Sequence, residues 1–123
     1  MHAADRAATL LGYEVDEIGP GHAVVSMTVR DEMLNGLDVC HGGLIFTLAD
    51  SAMAHASNSH GQPAFAVSAT IDFVAPGRSG AVLRAEAHER FRRGRTALYD
   101  VEVTDHAGTL VARFHGRTQH PAR

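Results

Sequence analysis

A run of mostly apolar residues, HGGLIFTLADSAMAHASN, occupies positions 41–58 in the middle of the chain. Two glycines stand at its start, and Gly61 and Pro63 follow its end, where a helix is readily broken. Alanine and larger apolar side chains lie almost all round the predicted helix, so that no face of it is polar. A helix of this kind is normally buried in a core. The sequence therefore predicts a buried helix over 42–58, with the rest of the chain around it.

Most of the remaining chain alternates polar and apolar residues, which is the period of β-strands. Before the buried helix we predict a short amphipathic helix over 3–11 and strands over 13–18 and 22–30. After it we predict strands over 64–75, 81–92, 95–104 and 110–118, joined as an antiparallel meander. This order favours an α+β fold in which a curved antiparallel sheet wraps around one long central helix. The second sheet face and the edges need partners, so we expect an oligomer.

The composition is that of an ordinary protein with one domain, which we place over 1–123. A net charge of −3 gives no sign of binding to nucleic acid or to an anionic membrane. No apolar run approaches the roughly 20 residues that span a bilayer, and no secretory signal is recognisable. The single cysteine excludes an internal disulfide, and we expect a reducing, cytoplasmic location.

Asp50 is the only formally charged side chain over positions 40–70. A carboxylate on a buried helix must be hydrogen-bonded, paired, protonated or functional, and a structural role remains one interpretation. The start of the same helix favours a functional role. His41, Gly42 and Gly43 open it, its first N–H groups have no partner within the helix, and the helix dipole favours negative charge there. Free N–H groups in this position suit a developing oxyanion.

The spacing between the start of the predicted helix and Asp50 has a consequence for assembly. Gly42 and Asp50 are eight residues apart, which is about 12 Å along a helix. One carbonyl group therefore cannot contact both in the same chain. Two antiparallel copies of the helix would bring the start of one beside Asp50 of the other, and a twofold dimer would then contain two equivalent sites.

Several segments together resemble the PaaI-type hotdog-fold acyl-CoA thioesterases, the phenylacetyl-CoA thioesterase family. They are NGLDVCHGGLIFTLADSAMAHASNSHG, SATIDFVAPGRSG, GRTALYDVEV and GTLVARFHGRT, and the resemblance covers about 10–118. It implies a hotdog fold, a homodimer that usually pairs again into a dimer of dimers, and hydrolysis of an acyl-CoA thioester. Phenylacetyl-CoA or hydroxyphenylacetyl-CoA is the implied type of substrate. No metal or organic cofactor is implied, since CoA is part of the substrate.

The resemblance also implies roles for individual residues. Asp50 falls on the catalytic carboxylate, which acts as a general base or as a nucleophile. Gly42 falls on the residue whose backbone N–H polarises the thioester carbonyl. Asn35 and His41 fall on polar positions that shape the site from the subunit opposite Asp50.

Further positions are expected to bind the substrate. Gly43 lies beside the predicted oxyanion donor, and Ser68 or Thr70 is expected to help place the water. Arginine forms strong hydrogen bonds to phosphate, so three arginines near turns are candidates to bind the phosphates of CoA. The alternative is that they are simply solvated residues at a hairpin tip. They are Arg78, Arg93 and Arg95.

Other functions remain open at this point. One is a non-catalytic acyl-CoA-binding sensor module, which would need the fold but not the carboxylate. Another is a hydratase or dehydratase on the same fold, which would use a histidine paired with an acid. The chain has nine histidines, but they lack the tight recurring spacings of metal ligands, so no metal site is predicted.

Overall fold

One antiparallel sheet and one long helix make up most of the chain. The computed structural model describes residues 5–121. Its strands are β1 (Glu14–Gly19), β2 (His22–Thr28), β3 (Phe65–Phe73), β4 (Val82–Arg93), β5 (Thr96–Thr104) and β6 (Leu110–Gln119). Its α-helices are α1 (Arg6–Leu11) and α2 (Gly42–Asn58). The strand order is β1-β2-β4-β5-β6-β3, with every neighbouring pair antiparallel. The predicted architecture, a sheet wrapped around one long helix, is confirmed.

The ends of most elements agree with the sequence pattern to within two residues. Helix α2 has the predicted bounds. Helix α1 begins at Arg6, where the Asp5 side chain accepts a hydrogen bond from the N–H of Ala8. The predicted start of this helix at positions 3 and 4 lies outside the described residues. No helix within 5–121 is long and apolar enough to cross a membrane.

The predicted meander is wrong for one strand. Strand β3 pairs with β6, opposing Ile71 to Phe114, and β4 pairs with β2 instead. The segment between β3 and β4 passes the start of α2, where the Cys40 N–H donates to the Gly77 carbonyl at 2.7 Å. An alternating pattern identifies a strand but does not identify its neighbours, and here β5 and β6 lie between β4 and β3 in the sheet.

Helix α2 packs against the inner face of the sheet through small and medium-sized side chains. On the helix the buried residues include Ile45, Leu48, Ala49, Ala52, Met53 and Ala56. Alanines at many facing positions allow close approach. Gly116 on β6 marks the nearest contact, because a Cβ there would overlap the thioether of Met53. A larger residue at this position would force the helix away from the sheet.

The opposite face of α2 is not covered in the single chain. Phe46, Thr47, Asp50 and Ala54 are only partly buried. The composition predicted a helix that is buried all round. In the single chain this is wrong, because the sheet wraps only one side of α2. Edge strand β3 is also open, and Phe65 at its start is 62% exposed. Helix α2 and strand β3 thus each leave apolar side chains uncovered in the single chain.

Candidate active site

The start of helix α2 presents two backbone donors. His41 is the N-cap, and its carbonyl accepts the N–H groups of Leu44 and Ile45. The His41 N–H itself donates to the carbonyl of Met33 at 3.0 Å. The N–H groups of Gly42 and Gly43 have no acceptor within residues 5–121. They are therefore available to a carbonyl oxygen that approaches the positive end of the helix.

Glycine at position 42 leaves room for an aromatic ring that lies against it. A Cβ built on Gly42 would lie 2.9 Å from Cζ of Phe73, closer than such contacts normally come. Gly42 and Phe73 line a shallow cavity of about 390 Å³ with Ile45, Val74 and Pro76 among its other walls. A substrate can therefore reach the Gly42 N–H along an apolar surface. His41 and Gly43 are both exposed beside it.

Asn35 holds the loop that leads into the helix. Its Oδ1 accepts hydrogen bonds from the N–H of Leu37 at 2.9 Å and of Val39 at 3.4 Å. Its own N–H donates to the Val39 carbonyl, which closes the loop. The side-chain nitrogen of Asn35 has no acceptor in the described part of the chain. The residue thus combines a structural role in the loop with a donor that remains available.

Asp50 lies on the uncovered face of α2, partly buried and with no hydrogen-bond or ion-pair partner among residues 5–121. Burial raises the pKa of its carboxyl group above the ordinary value for aspartate. No donor among the described residues of the chain offsets this effect. A carboxylate with a raised pKa and free lone pairs is a stronger base than an exposed one, as proton abstraction from water requires.

Tyr13 is a neighbour of this site that sequence reasoning missed. Its side chain is 5% exposed, and its hydroxyl is buried without a hydrogen-bond partner in the described chain. Burial raises the pKa of the phenol, the nearby Thr47 side chain opposes this in part, and the electrostatic effect of Asp5, Cys40 and Asp50 adds to the increase. The hydroxyl therefore stays protonated. The sequence showed only a residue at the start of a strand, with no signal of this position.

Ser68 and Thr70 face away from Asp50 within one chain. On β3 they alternate with Ala69 and Ile71, which pack against the core beside α2. Ser68 opposes Arg117, and Thr70 opposes His115, on the outer face of the sheet. These hydroxyls line a separate surface cavity of about 480 Å³. The structure of the single chain thus does not bring the predicted water-placing hydroxyls to the carboxylate.

The three candidate phosphate ligands do not lie together. Arg78 is exposed near the start of α2, in a loop that lines a cavity of about 590 Å³. Arg93 and Arg95 are exposed at the turn between β4 and β5. Strand β4 separates the two locations, and its 12 residues extend over roughly 40 Å. In one chain, therefore, a single CoA does not reach both.

Comparison with known proteins identifies the architecture. Residues 37–112 match the thioesterase superfamily. The acyl-coenzyme A thioesterase PaaI of Escherichia coli is 43% identical over 118 residues, covering 96% of this chain and 84% of that protein. The structure of E. coli PaaI superposes with a TM-score of 0.98, covering 99% of this chain and 88% of that one. A Streptococcus mutans protein solved with acetyl-CoA bound is 27% identical, with a TM-score of 0.86 and 90% of each chain covered.

Proposed function

Because this chain belongs to the thioesterase superfamily, and is an acyl-CoA thioester hydrolase with the hotdog fold, we propose that its substrate is a phenylacetyl-CoA or hydroxyphenylacetyl-CoA. E. coli PaaI, which is 43% identical over most of both chains, is a protein of the phenylacetic acid degradation operon, and this supports the proposed substrate type. The Streptococcus mutans protein, which was solved with acetyl-CoA, has the same fold and supports a CoA ester in general.

The proposed mechanism rests on the environment of the Asp50 carboxylate. It is a partly buried carboxylate with a raised pKa and no partner among the described residues. We propose that it removes a proton from a water molecule as the water oxygen attacks the thioester carbon. The carbonyl oxygen, which becomes negative, accepts the N–H of Gly42. The C–S bond then breaks, and the CoA sulfur takes up the proton that Asp50 received.

In an alternative role, the same carboxylate attacks the carbonyl carbon directly and the C–S bond breaks to release the CoA thiolate, which takes up a proton. Water then hydrolyses the resulting anhydride to the free acid and regenerates Asp50. Both routes require Asp50 and the Gly42 donor. A thioester carbonyl is reactive enough that one base and one oxyanion donor suffice, so we propose that no metal or organic cofactor takes part. Asn35 and His41 are proposed to shape the site beside Gly42.

We propose that each site is shared between two chains in a homodimer, and that two dimers associate. The length of helix between Gly42 and Asp50 supports this, as do the apolar side chains that α2 and β3 leave uncovered. An antiparallel pairing would also place the Arg93 and Arg95 hairpin of one chain toward the Gly42 end of its partner. Such an arrangement would let arginines from both chains reach the phosphates of one CoA. A cytoplasmic location stays a prediction.

Thiol release from a panel of acyl-CoAs tests this proposal. Phenylacetyl-CoA, hydroxyphenylacetyl-CoA, hexanoyl-CoA and palmitoyl-CoA are compared, using the native chain, Asp50→Asn, and Asp16→Asn as a control in an exposed carboxylate of β1. We expect the aryl-acetyl esters to be hydrolysed fastest and Asp50→Asn to lose on the order of 10²-fold or more. Asp16→Asn should match the native chain.

Other outcomes would identify other functions. Binding of acyl-CoA without release of thiol would make the protein a sensor module, with Asp50 in a structural role. Conversion of an enoyl-CoA without thiol release would indicate a hydratase. Faster hydrolysis of palmitoyl-CoA than of the aryl esters would support thioesterase activity but would reject the proposed substrate.

A further inference from the structure

Three side chains with metal-ligating groups meet on the outer face of the sheet. His22 lies on β2, and Glu86 and His88 lie on β4. His22 and His88 are directly opposite each other in the β2–β4 ladder. Their neighbours Ala23 and Ala87 are fully buried in the core beside α2, so the cluster is on the other side of the sheet from Asp50. It is therefore separate from the candidate active site.

The ligand atoms are already close together. Nε2 of His22 is 2.7 Å from Oε2 of Glu86, and Nε2 of His88 is 3.4 Å from the same oxygen. One ligand atom from each of the three residues can be chosen so that all lie within 4.8 Å of one another. Ligand atoms bound tetrahedrally to Zn²⁺ at about 2.1 Å are about 3.4 Å apart. The observed spacing is thus that of a site needing only small side-chain movements to bind an ion.

The chemistry of the three ligands fits a divalent transition metal. Two imidazoles and one carboxylate suit Zn²⁺ and its neighbours better than Mg²⁺ or Ca²⁺, which prefer oxygen alone. The side chains are 29%, 31% and 42% exposed for His22, Glu86 and His88, so an ion and a completing water can enter. Arg84 donates to Oε1 of Glu86 at 3.2 Å, which leaves Oε2 directed to both imidazoles.

We propose that His22, Glu86 and His88 bind one divalent transition-metal ion of the Zn²⁺ type. The proposal does not depend on the proposed substrate. Such an ion would join two strands through residues that are far apart in sequence, His22 and Glu86 being 64 positions apart. Because the unfolded chain does not hold these ligands together, the ion would stabilise the native state. This separation also explains why the sequence predicted no metal site.

A similar pair on the next two strands of the same face, where Asp100 lies opposite His88, provides a matched control. Nδ1 of His115 lies 2.6 Å from Oδ1 of Asp100, and Arg90 contacts the same carboxylate. This cluster has one histidine where the first has two, and in both clusters an arginine contacts the carboxylate. The His115→Asn substitution therefore removes a surface histidine beside a carboxylate and leaves all three proposed ligands in place.

The test is titration of the tag-free, metal-stripped protein with Zn²⁺ by calorimetry, together with thermal unfolding. We expect one ion per chain and a higher unfolding temperature with Zn²⁺. His22→Ala, His88→Ala and Glu86→Gln should each weaken binding by about tenfold or more, while His115→Asn should not. Co²⁺ should give the intense visible absorption of a four-coordinate site in the native chain but not in Glu86→Gln.

Glu86→Gln keeps the size of the side chain, so it tests the ligand even if a histidine variant folds poorly. Circular dichroism of each variant shows whether it is folded. The proposal is overturned if the native chain binds no Zn²⁺ stoichiometrically, or if His115→Asn weakens binding as much as His22→Ala does. Equal binding by the native chain and by folded Glu86→Gln would also reject it.

Discussion

Asp50 lies on the same helix as Gly42, two turns further along α2, and the rise of the helix separates the two residues by about 12 Å along its axis. A thioester carbonyl is much shorter than this separation. The backbone donor and the base therefore cannot act on one carbonyl from a single chain, whereas they can when two helices run antiparallel. This relationship connects the mechanism proposed for the site to its assembly.

The pH dependence of hydrolysis follows from the raised pKa of Asp50. Burial favours the neutral carboxyl group, whereas the base must be ionised. We therefore expect kcat/KM to rise with pH and to level off above the pKa of Asp50, with the rising limb above the value of about 3.9 for a free aspartate. Steady-state rates with phenylacetyl-CoA across the acid range measure this limb. A rate already constant well below that value would show that no such base is needed.

The same burial predicts that Asp50→Asn is more stable than the native chain at neutral pH. When the pKa of an aspartate is higher in the folded chain than in the unfolded chain, its contribution to the free energy of unfolding is largest below the pKa of the unfolded chain. That contribution is lost as the pH rises through the raised folded value. Asparagine carries no charge to desolvate. Urea unfolding should show a higher midpoint for Asp50→Asn at pH 7, with the advantage disappearing below about pH 4. Lower stability at pH 7 would indicate that the carboxylate has a stabilising partner.

Two substitutions of Gly42 separate the role of its N–H from the need for space. Gly42→Ala keeps the donor, and Gly42→Pro removes it, while both place a Cβ against the ring of Phe73. Proline is tolerated at the first position of a helix, and His41 before it has φ −54° and ψ 134°, which suits a residue preceding proline. We expect kcat to fall for Gly42→Pro by about 10²-fold relative to Gly42→Ala. Equal kcat values would exclude the N–H as the oxyanion donor.

The hairpin arginines are expected to act on the nucleotide part of CoA. Arg93→Ala and Arg95→Ala should raise KM for acyl-CoA several-fold with little change in kcat, and should reduce the dependence of KM on salt. The same variants should leave hydrolysis of an acyl-pantetheine, which lacks the nucleotide, unchanged. Arg113→Ala, an exposed arginine in the middle of β6, is the control. An equal effect on both substrates would place these arginines away from the phosphates.

Much of the fold could be predicted from local sequence patterns. The helix over 42–58 was predicted at both ends, because glycine and proline interrupt the pattern close to where the helix starts and stops. The pairing of β3 with β6 was not predicted, since alternation in a strand says nothing about which strand lies beside it. The exposed face of α2 was also missed, because its apolar residues look the same whether another chain or the same chain covers them.

The candidate site, like the fold, could be predicted from the sequence only in part. Gly42 and Asp50 stood out in the sequence because a glycine pair and a lone charge are unusual at the start and in the middle of an apolar helix. Tyr13 gave no such signal, since only the folded chain buries its hydroxyl near Asp50. Ser68 or Thr70 was expected to help place the water, and within one chain the register of β3 turns both to the outer face.

The most direct test of a site shared between chains is complementation between two inactive variants. Asp50→Asn and Gly42→Pro are co-expressed with different tags, and the mixed dimer is purified and assayed for hydrolysis of phenylacetyl-CoA. A mixed dimer with shared sites contains one site with both substitutions and one with neither, so it should recover about half of the native activity. If each site were formed by a single chain, every site would carry one of the two substitutions. The mixed dimer would then be as inactive as its parents, which would contradict the account.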